Sequence, residues 1–172
     1  MADVPAFGWS IGVLFRAWHE SANAALAELP HRARGFQILQ TVAASEPPTQ
    51  AALAAHLGID RTVLTYVLDD LVAEGVLERL PDQADRRVRR IAMTEAGRTR
   101  LIALDAGVRK AEAELLAGLG DEERELLHHL LGAAAAQVHS GDPRHDECTV
   151  IADILSADAM PASIEPRQRA AS

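Results

Sequence analysis

Aromatic residues are scarce in this chain, at 3% of 172 residues, while alanine supplies much of its apolar content. Such a composition favours helices over sheets. The single cysteine cannot form an internal disulfide. No stretch is apolar enough over sufficient length to span a bilayer, and the N-terminus lacks the basic and then apolar pattern of a signal peptide. We therefore expect a mostly helical cytoplasmic protein with no membrane partner.

Lysine is nearly absent as well, so arginine carries almost all of the positive charge. The net charge of −8 excludes a uniformly basic surface. Between residues 79 and 100, however, there are seven arginines and three acidic residues, which makes this segment +4 and leaves −12 on the remainder. Positive charge is thus concentrated in one short stretch, as expected of a protein that contacts a polyanion at one place.

Residues 49–75 read as two short helices joined by a tight turn. Gly58 can adopt the positive φ that ends the first helix, and Asp60 stands at the N-cap of the second. One face of this second helix is apolar, with Leu64, Val67, Leu68, Leu71 and Val72 at helical spacing. The opposite face carries Arg61, Thr62, Thr65, Tyr66 and Asp69. Such a helix fits the major groove of DNA, although an ordinary amphipathic surface helix has the same pattern.

A β-hairpin is predicted next, with strands at Val76–Leu80 and Val88–Met93 around a turn at 81–85. Four arginines crowd its second half, namely Arg86, Arg87, Arg89 and Arg90. Because guanidinium groups repel one another, this arrangement is best tolerated where phosphates neutralise it. A solvated run of charge is the alternative, but a helix-turn-helix followed directly by a basic hairpin is a specific combination.

These residues resemble the winged helix-turn-helix of the MarR family of bacterial transcriptional regulators. The wing signature of the family is Asp-x-Arg, five residues, and then Leu-Thr-x-x-Gly. It is matched by Asp85-Arg86-Arg87 and, five residues later, by Met93-Thr94-Glu95-Ala96-Gly97. Met93 for leucine is a conservative core change. Gly58-Ile59-Asp60 and residues 71–79 also follow the family pattern, and weaker similarity extends over residues 7–139.

The fold predicted is mostly α with a small β-hairpin wing, a winged helix-turn-helix with N- and C-terminal dimerisation helices. Helices are expected at 9–29, ended by Pro30, and at 33–44, 95–119 and from 121 onward. We expect residues 33–97 to form the DNA-binding domain, and residues 1–32 with 98–139 to form the dimerisation region. Residues 140–172 depart from the family and are expected to form a partly ordered extension.

The contacts with double-stranded DNA are predicted from position and from the resemblance. Thr62, Thr65 and Tyr66 would face the major groove, with Arg61 reaching phosphates. The family commonly has arginine where this chain has Tyr66, which puts a guanine contact there in doubt. Arg87 matches the wing arginine that enters the minor groove, with Asp85 orienting it through a paired hydrogen bond. The remaining candidates are Arg86, Arg89 and Arg90 as phosphate contacts or wing supports, and Gln50 and Thr49 as backbone contacts.

The resemblance implies a homodimer that reads an inverted repeat and leaves DNA when a small molecule binds between the dimer helices and the winged domain. A phenolic or other aromatic effector would suit a pocket containing Phe15, Trp18, His19 and Phe36. For each of these four residues a role in the plain core is the stronger alternative. No cofactor is expected.

Other functions have less support. No phosphate-binding loop, nucleophile elbow or pair of catalytic carboxylates indicates an enzyme. A winged helix that binds only proteins would have little reason to keep the arginine cluster. The histidines at 128, 129, 139 and 145 raise the question of a metal site, but His128 and His129 point about 100° apart on a helix and cannot chelate together. Cys148 lies in the C-terminal extension, which disfavours a redox switch of the kind that uses a cysteine near the first helix.

Overall fold

The computed structural model describes residues 6–44, 46–85 and 87–141. The helices within them are α1 (Phe7–Ala25), α2 (Arg32–Ala44), α3 (Gln50–His56), α4 (Arg61–Ala73), α5 (Glu95–Leu115) and α6 (Asp121–Gly141), with strands β1 (Leu77–Pro81) and β2 (Arg89–Met93) between α4 and α5. The predicted winged helix-turn-helix fold is confirmed. None of the described helices has the length and apolar character needed to cross a membrane.

The turn between α3 and α4 follows the local signals of the sequence. Thr49 caps α3 by accepting a hydrogen bond from the amide of Ala52 at 3.1 Å. Gly58 has a φ of +62°, a value that costs glycine little because it has no Cβ. The carboxylate of Asp60 then accepts the amides of Thr62 and Val63 at 2.8 and 3.2 Å. Those amides have no partner inside α4, so the cap stabilises the start of that helix.

The hairpin is antiparallel and pairs Leu77 with Met93 and Pro81 with Arg89. The predicted first strand, Val76–Leu80, is therefore shifted by one residue, and the predicted second strand, Val88–Met93, begins one residue too early. Val76 does not join the first strand because its amide donates to the carbonyl of Leu71 at 3.2 Å and so closes the end of α4. Its own carbonyl accepts from Thr94 at 3.2 Å, at the point where the second strand leads into α5.

Gly97 allows α5 to approach the hairpin. A Cβ at this position would collide with the backbone of Val76. Thr94 fixes the same junction, because its hydroxyl donates to the carbonyl of Gly75 at 2.7 Å and accepts the amide of Gly97 at 2.9 Å. The Thr-x-x-Gly part of the wing signature therefore has a structural explanation in the packing of α5 against the wing.

One continuous core joins the helix-turn-helix, the hairpin and α5. The fully buried large side chains are Ile38, Leu39, Leu53, Leu57, Leu64, Leu68, Leu71, Leu77 and Ile91. α2 lies between α5 and β2, and α1 packs along α5. The predicted apolar face of α4 is confirmed, with Val72 only partly buried.

Two predicted helix ends are wrong by four residues. α1 ends at Ala25 rather than at 29, because Leu26 and Leu29 turn inward to join the core. The connection ends at His31, and Arg32 is the first residue of α2. These two residues have φ values of +59° and +44°, which are unusual for residues with a Cβ. α5 ends at Leu115 rather than at 119.

Much apolar surface on α1 and α6 is exposed in the single chain. α6 contains no buried residue between Asp121 and Val138. Its large apolar side chains Leu126, Leu130, Leu131 and Val138 are each at least half exposed. On α1 the same holds for Phe7 and Trp9, at 80% and 61%. Contiguous apolar surface of this extent is typical of an interaction surface.

Buried polar atoms without partners occur on α2. Gln37 is 5% exposed, and within the described residues neither polar atom of its amide has a hydrogen-bond partner. Arg34 lies one turn earlier on α2, and one of its terminal nitrogens is also buried without a hydrogen-bond partner in the described residues. Burial lowers the pKa of this guanidinium. A buried amide that makes no hydrogen bond destabilises the folded state.

We expect Gln37→Met to raise the free energy of unfolding by about 1 kcal/mol, because it removes the unpaired amide and keeps the chain length. Urea denaturation of both proteins measures the difference. Gln40→Met is the matched control, since Gln40 is exposed on the same helix and its replacement should be nearly neutral. A loss of stability in Gln37→Met would show that the amide has a partner in solution.

Candidate nucleic-acid interface

The outward face of α4 presents polar side chains to solvent. Arg61, Thr62 and Asp69 are exposed, and Tyr66 has 66% of its surface accessible. Thr65 lies at the flank of this face and is half-buried. The structure therefore places all the predicted major-groove residues on or beside one accessible face, at the helix that follows the turn of the helix-turn-helix.

Thr65 is held by two hydrogen bonds. Its hydroxyl donates to the carbonyl of Arg61 at 2.8 Å and accepts from the side-chain amide of Gln50 at 2.7 Å. Gln50 was predicted to contact the DNA backbone. In the structure its side-chain amide instead connects the first residue of α3 to Thr65 on α4.

Asp69 brings negative charge onto a face that would lie against phosphates. Its carboxylate is 2.7 Å from a terminal nitrogen of Arg79 on β1. This ion pair reduces the local charge and joins the recognition helix to the wing. This ion pair was not predicted from the sequence, because its two residues are ten positions apart and lie on different elements.

Asp82 organises the turn of the hairpin from inside. One carboxylate oxygen accepts the amides of Ala84 and Asp85 at 2.8 and 3.0 Å, and the other accepts from the guanidinium of Arg90 at 2.5 Å. Hydrogen bonds from the Asp85 amide, and then from Arg90 and the Ala84 amide, hold the pKa of this carboxyl below its ordinary value. Hydrogen bonds from the backbone amides of the turn to the buried carboxylate of Asp82 therefore fix the shape of the turn.

Arg90 extends the same network to the start of α3. It donates to the carbonyl of Pro47 at 2.8 Å, and the amide of Ile91 donates to the carbonyl of Pro48 at 2.9 Å. Arg90 thereby connects the wing to the loop that precedes α3, and the predicted phosphate contact of this residue remains a prediction.

The tip of the wing carries exposed positive charge. Arg87 and Arg89 are exposed, and Arg86 lies outside the described residues. The carboxylate of Asp85 accepts the backbone amide of Arg87 at 2.9 Å. That bond shapes the turn, and the predicted pairing of Asp85 with the Arg87 guanidinium remains a prediction.

A further link joins the start of α2 to the recognition helix. Nε2 of His31 is 2.8 Å from a carboxylate oxygen of Asp70 on the edge of α4 opposite to Thr65. The recognition helix is thus held on both sides, by His31 on one and by Gln50 on the other.

Of the four residues predicted to form an effector pocket, the three on α1 lie together and Phe36 lies apart from them. Phe15 and Trp18 line an apolar groove of about 330 Å³ between α1, α5 and α6, whose other residues include Leu115 and Leu131. The ring of His19 stacks on Phe15 with 6.0 Å between centroids, outside the lining of this groove. Phe36 packs against the core instead.

A histidine and a glutamate of the groove lining contact each other. Nε2 of His128 is 3.0 Å from a carboxylate oxygen of Glu112. No group of three histidine, cysteine or acidic side chains that could hold a metal occurs in the described part of the chain. His145, Cys148 and the helix predicted around 147–155 lie outside that part.

Comparison with known proteins agrees with this architecture. A model of the MarR family matches residues 34–88, which contain most of α2, the helix-turn-helix, and the first strand and turn of the wing. The apo form of MarR from E. coli has a similar structure, with 26% sequence identity and a TM-score of 0.62 over 77% of this chain and 98% of that one.

Two further solved structures extend the similarity. A MarR-family transcriptional regulator from Rhodococcus sp. RHA1 has 26% identity and a TM-score of 0.58, covering 76% of this chain and 96% of its own. The transcriptional regulator BldR from Sulfolobus solfataricus has 26% identity and a TM-score of 0.55, covering 74% and 91%. The resemblance found in the sequence is confirmed.

Replacing Asp82 should make the stability of the protein depend less on pH. In the folded wing its pKa lies below the ordinary value of 3.8, so its contribution is fully present above that pH. The contribution is lost as the pH falls through the folded pKa. We expect Asp82→Asn to be less stable than wild type at pH 6, and the gap to close as the pH is lowered below 3.8.

Thermal unfolding of both proteins between pH 3 and 6 measures this gap. Glu78→Gln is the control, because Glu78 is an exposed acid on the adjoining strand and its variant should follow wild type. A gap that stays constant over this range would show that the carboxylate charge of Asp82 does not stabilise the wing.

Proposed function

We propose that this chain, which carries the MarR-family winged helix-turn-helix, is a cytoplasmic homodimeric transcriptional regulator that binds double-stranded DNA sequence-specifically. Two recognition helices related by a twofold axis would enter successive major grooves roughly 34 Å apart, on an inverted-repeat operator. We take repression as its mode of action and release by a small molecule as its control.

The observation that carries this proposal is the pair of side-chain contacts that connect the arginine-rich wing to α4 and to the loop before α3. Arg79 ties the wing to the recognition helix through Asp69, and Arg90 ties it to the loop that precedes α3. A groove-reading helix and a phosphate-contacting wing need a fixed spacing to engage one duplex together.

Each predicted contact has a place in this arrangement. Thr62 and Tyr66 would meet base edges or the sugar–phosphate backbone in the major groove. Arg87 would enter the minor groove beside it, where a guanidinium is attracted by the negative potential. Phosphate contacts are assigned to Arg61, Arg86 and Arg89.

Dimerisation is supported by the apolar surface of α1 and α6. Leu126 and Leu130 on α6 are each 56% exposed in the single chain, and Trp9 on α1 is 61% exposed. Covering these side chains with the same helices of a second copy would bury them, at about 25 cal/mol per Å² of apolar surface. The helices predicted to form the dimer are thus those whose apolar faces lack cover in one chain.

We therefore expect Leu130→Asp to shift the protein from dimer to monomer without unfolding the winged domain. Sedimentation velocity measures the oligomeric state, and far-UV circular dichroism checks that the winged domain is folded. Glu125→Asp, on another face of the same helix, is a conservative control that should remain dimeric. A Leu130→Asp protein that sediments as a dimer would contradict the assignment of this face.

Release by an aromatic effector is supported by the clustering of Phe15 and Trp18 in the α1–α5–α6 groove. A flat apolar molecule there would alter the packing of α1 against α5. Because the two recognition helices are held apart by these helices, a small shift would change their spacing on DNA.

A winged domain that binds only proteins is the competing function. It would not require the +4 charge of residues 79–100, and it would not respond to salt in the manner of phosphate binding. Fluorescence anisotropy on the DNA upstream of the gene, against unrelated DNA and at two salt concentrations, separates the two functions. Selective, salt-sensitive binding supports the regulator, and failure to bind either DNA at low salt supports the protein-binding module.

Arg87→Ala should weaken operator binding by about 1–3 kcal/mol if the side chain makes a specific contact, and Arg87→Glu should abolish binding while leaving the dimer intact. Anisotropy titration and sedimentation velocity provide the two measurements. Arg109→Glu is the control, because Arg109 is an exposed arginine on α5, away from the wing. Full affinity in Arg87→Ala would remove the wing tip from the interface.

A further inference from the structure

The hydrogen bonds of Thr65 limit what this residue can read. A threonine hydroxyl has one proton and two lone pairs. The proton is used at the carbonyl of Arg61, 2.8 Å away, and one lone pair is used by the amide of Gln50, 2.7 Å away. Since the proton is taken, it is the nitrogen of the Gln50 amide that must face Thr65, and not its oxygen.

The Thr65 hydroxyl therefore offers no donor to a base edge. Guanine presents only acceptors in the major groove, at N7 and O6, and thymine presents the acceptor O4, so the hydroxyl can bond neither base. What remains on Thr65 is the γ-methyl group and one lone pair beside the Gln50 amide, and that lone pair could accept only from the amino group of adenine or cytosine. In the major groove the apolar partner for a threonine methyl group is the C5-methyl of thymine.

We propose that Thr65 reads the C5-methyl group of a thymine and that Gln50 is the positioning residue that holds it in this state. The proposal rests on the proposed DNA-binding function and adds to it one preferred base in each half-site. Gln50 acts through Thr65, which distinguishes this role from the backbone contact predicted from sequence.

The exposure of the neighbouring residues agrees with this assignment. Thr65 is half-buried at the flank of α4, where α3 meets it, whereas Thr62 and Tyr66 are exposed at the centre of the face. A short apolar group at the flank can contact a methyl group that projects into the groove. The longer side chain of Tyr66 is free to reach the backbone or another base.

The test begins with a DNA duplex enriched by the full-length protein from a random-sequence library. Each thymine is then replaced by deoxyuridine, which removes only the C5-methyl group. For wild type we expect one symmetric pair of positions at which the replacement weakens binding about fourfold per half-site, the effect of one buried methyl-sized group.

Three variants identify the residues involved. Thr65→Ser keeps the hydroxyl and loses the methyl group, so its affinity should no longer depend on thymine or uracil at that position. Thr65→Val keeps a γ-methyl group but loses the hydroxyl that Gln50 holds, so its thymine-to-uracil ratio should fall only as far as that of Gln50→Met. Gln50→Met removes the donor at similar length and should reduce the thymine-to-uracil ratio, whereas loss of a mere backbone contact would weaken both duplexes equally. Circular dichroism confirms that each variant is folded.

The outcomes separate the two proposals. If no sequence is enriched from the library, the proposed function fails, and the reading of thymine fails with it. If a sequence is enriched but wild type is indifferent to deoxyuridine at every position, or Thr65→Ser keeps the dependence, the function stands and the assignment of Thr65 is overturned. An unchanged thymine-to-uracil ratio in Gln50→Met overturns the positioning role alone.

Discussion

The carboxylate of Asp82 joins three parts of the candidate interface. It accepts two backbone amides of the wing turn and the guanidinium of Arg90, which in turn donates to the carbonyl of Pro47 before α3. With a side chain only 10% exposed, this carboxylate can lose its water only because each oxygen is satisfied by the protein. The distance between the wing and the helix-turn-helix depends on this network.

The recognition helix is held in a similar way by side chains of other elements. Gln50 contacts one flank through Thr65, His31 contacts the other through Asp70, and Arg79 contacts the outer face through Asp69. The apolar face supplies most of the packing energy, while these polar contacts determine which groups face a ligand. Side chains that are held in place before binding favour selective binding because less conformational entropy is lost on docking.

Several parts of the fold could be predicted because their causes are local. The cap at Asp60, the turn at Gly58 and the apolar stripe of α4 depend on residues within a few positions of one another. The predicted first strand begins one residue too early because the amide of Val76 closes the end of α4, a local contact that strand propensity does not include. The predicted α1 is too long because Leu26 is buried in the core, which depends on the folded chain.

The sequence by itself determined the fold class, the place of the wing and the concentration of arginine there, since periodicity, turn residues and charge are properties of short segments. Only the tertiary structure decided which of these arginines pair with a carboxylate of the same chain. Arg79 and Arg90 are paired with Asp69 and Asp82, while Arg87 stays exposed at the tip. Neighbouring arginines look alike in a sequence, and they differ only because folding brings a carboxylate to some of them and leaves another in water.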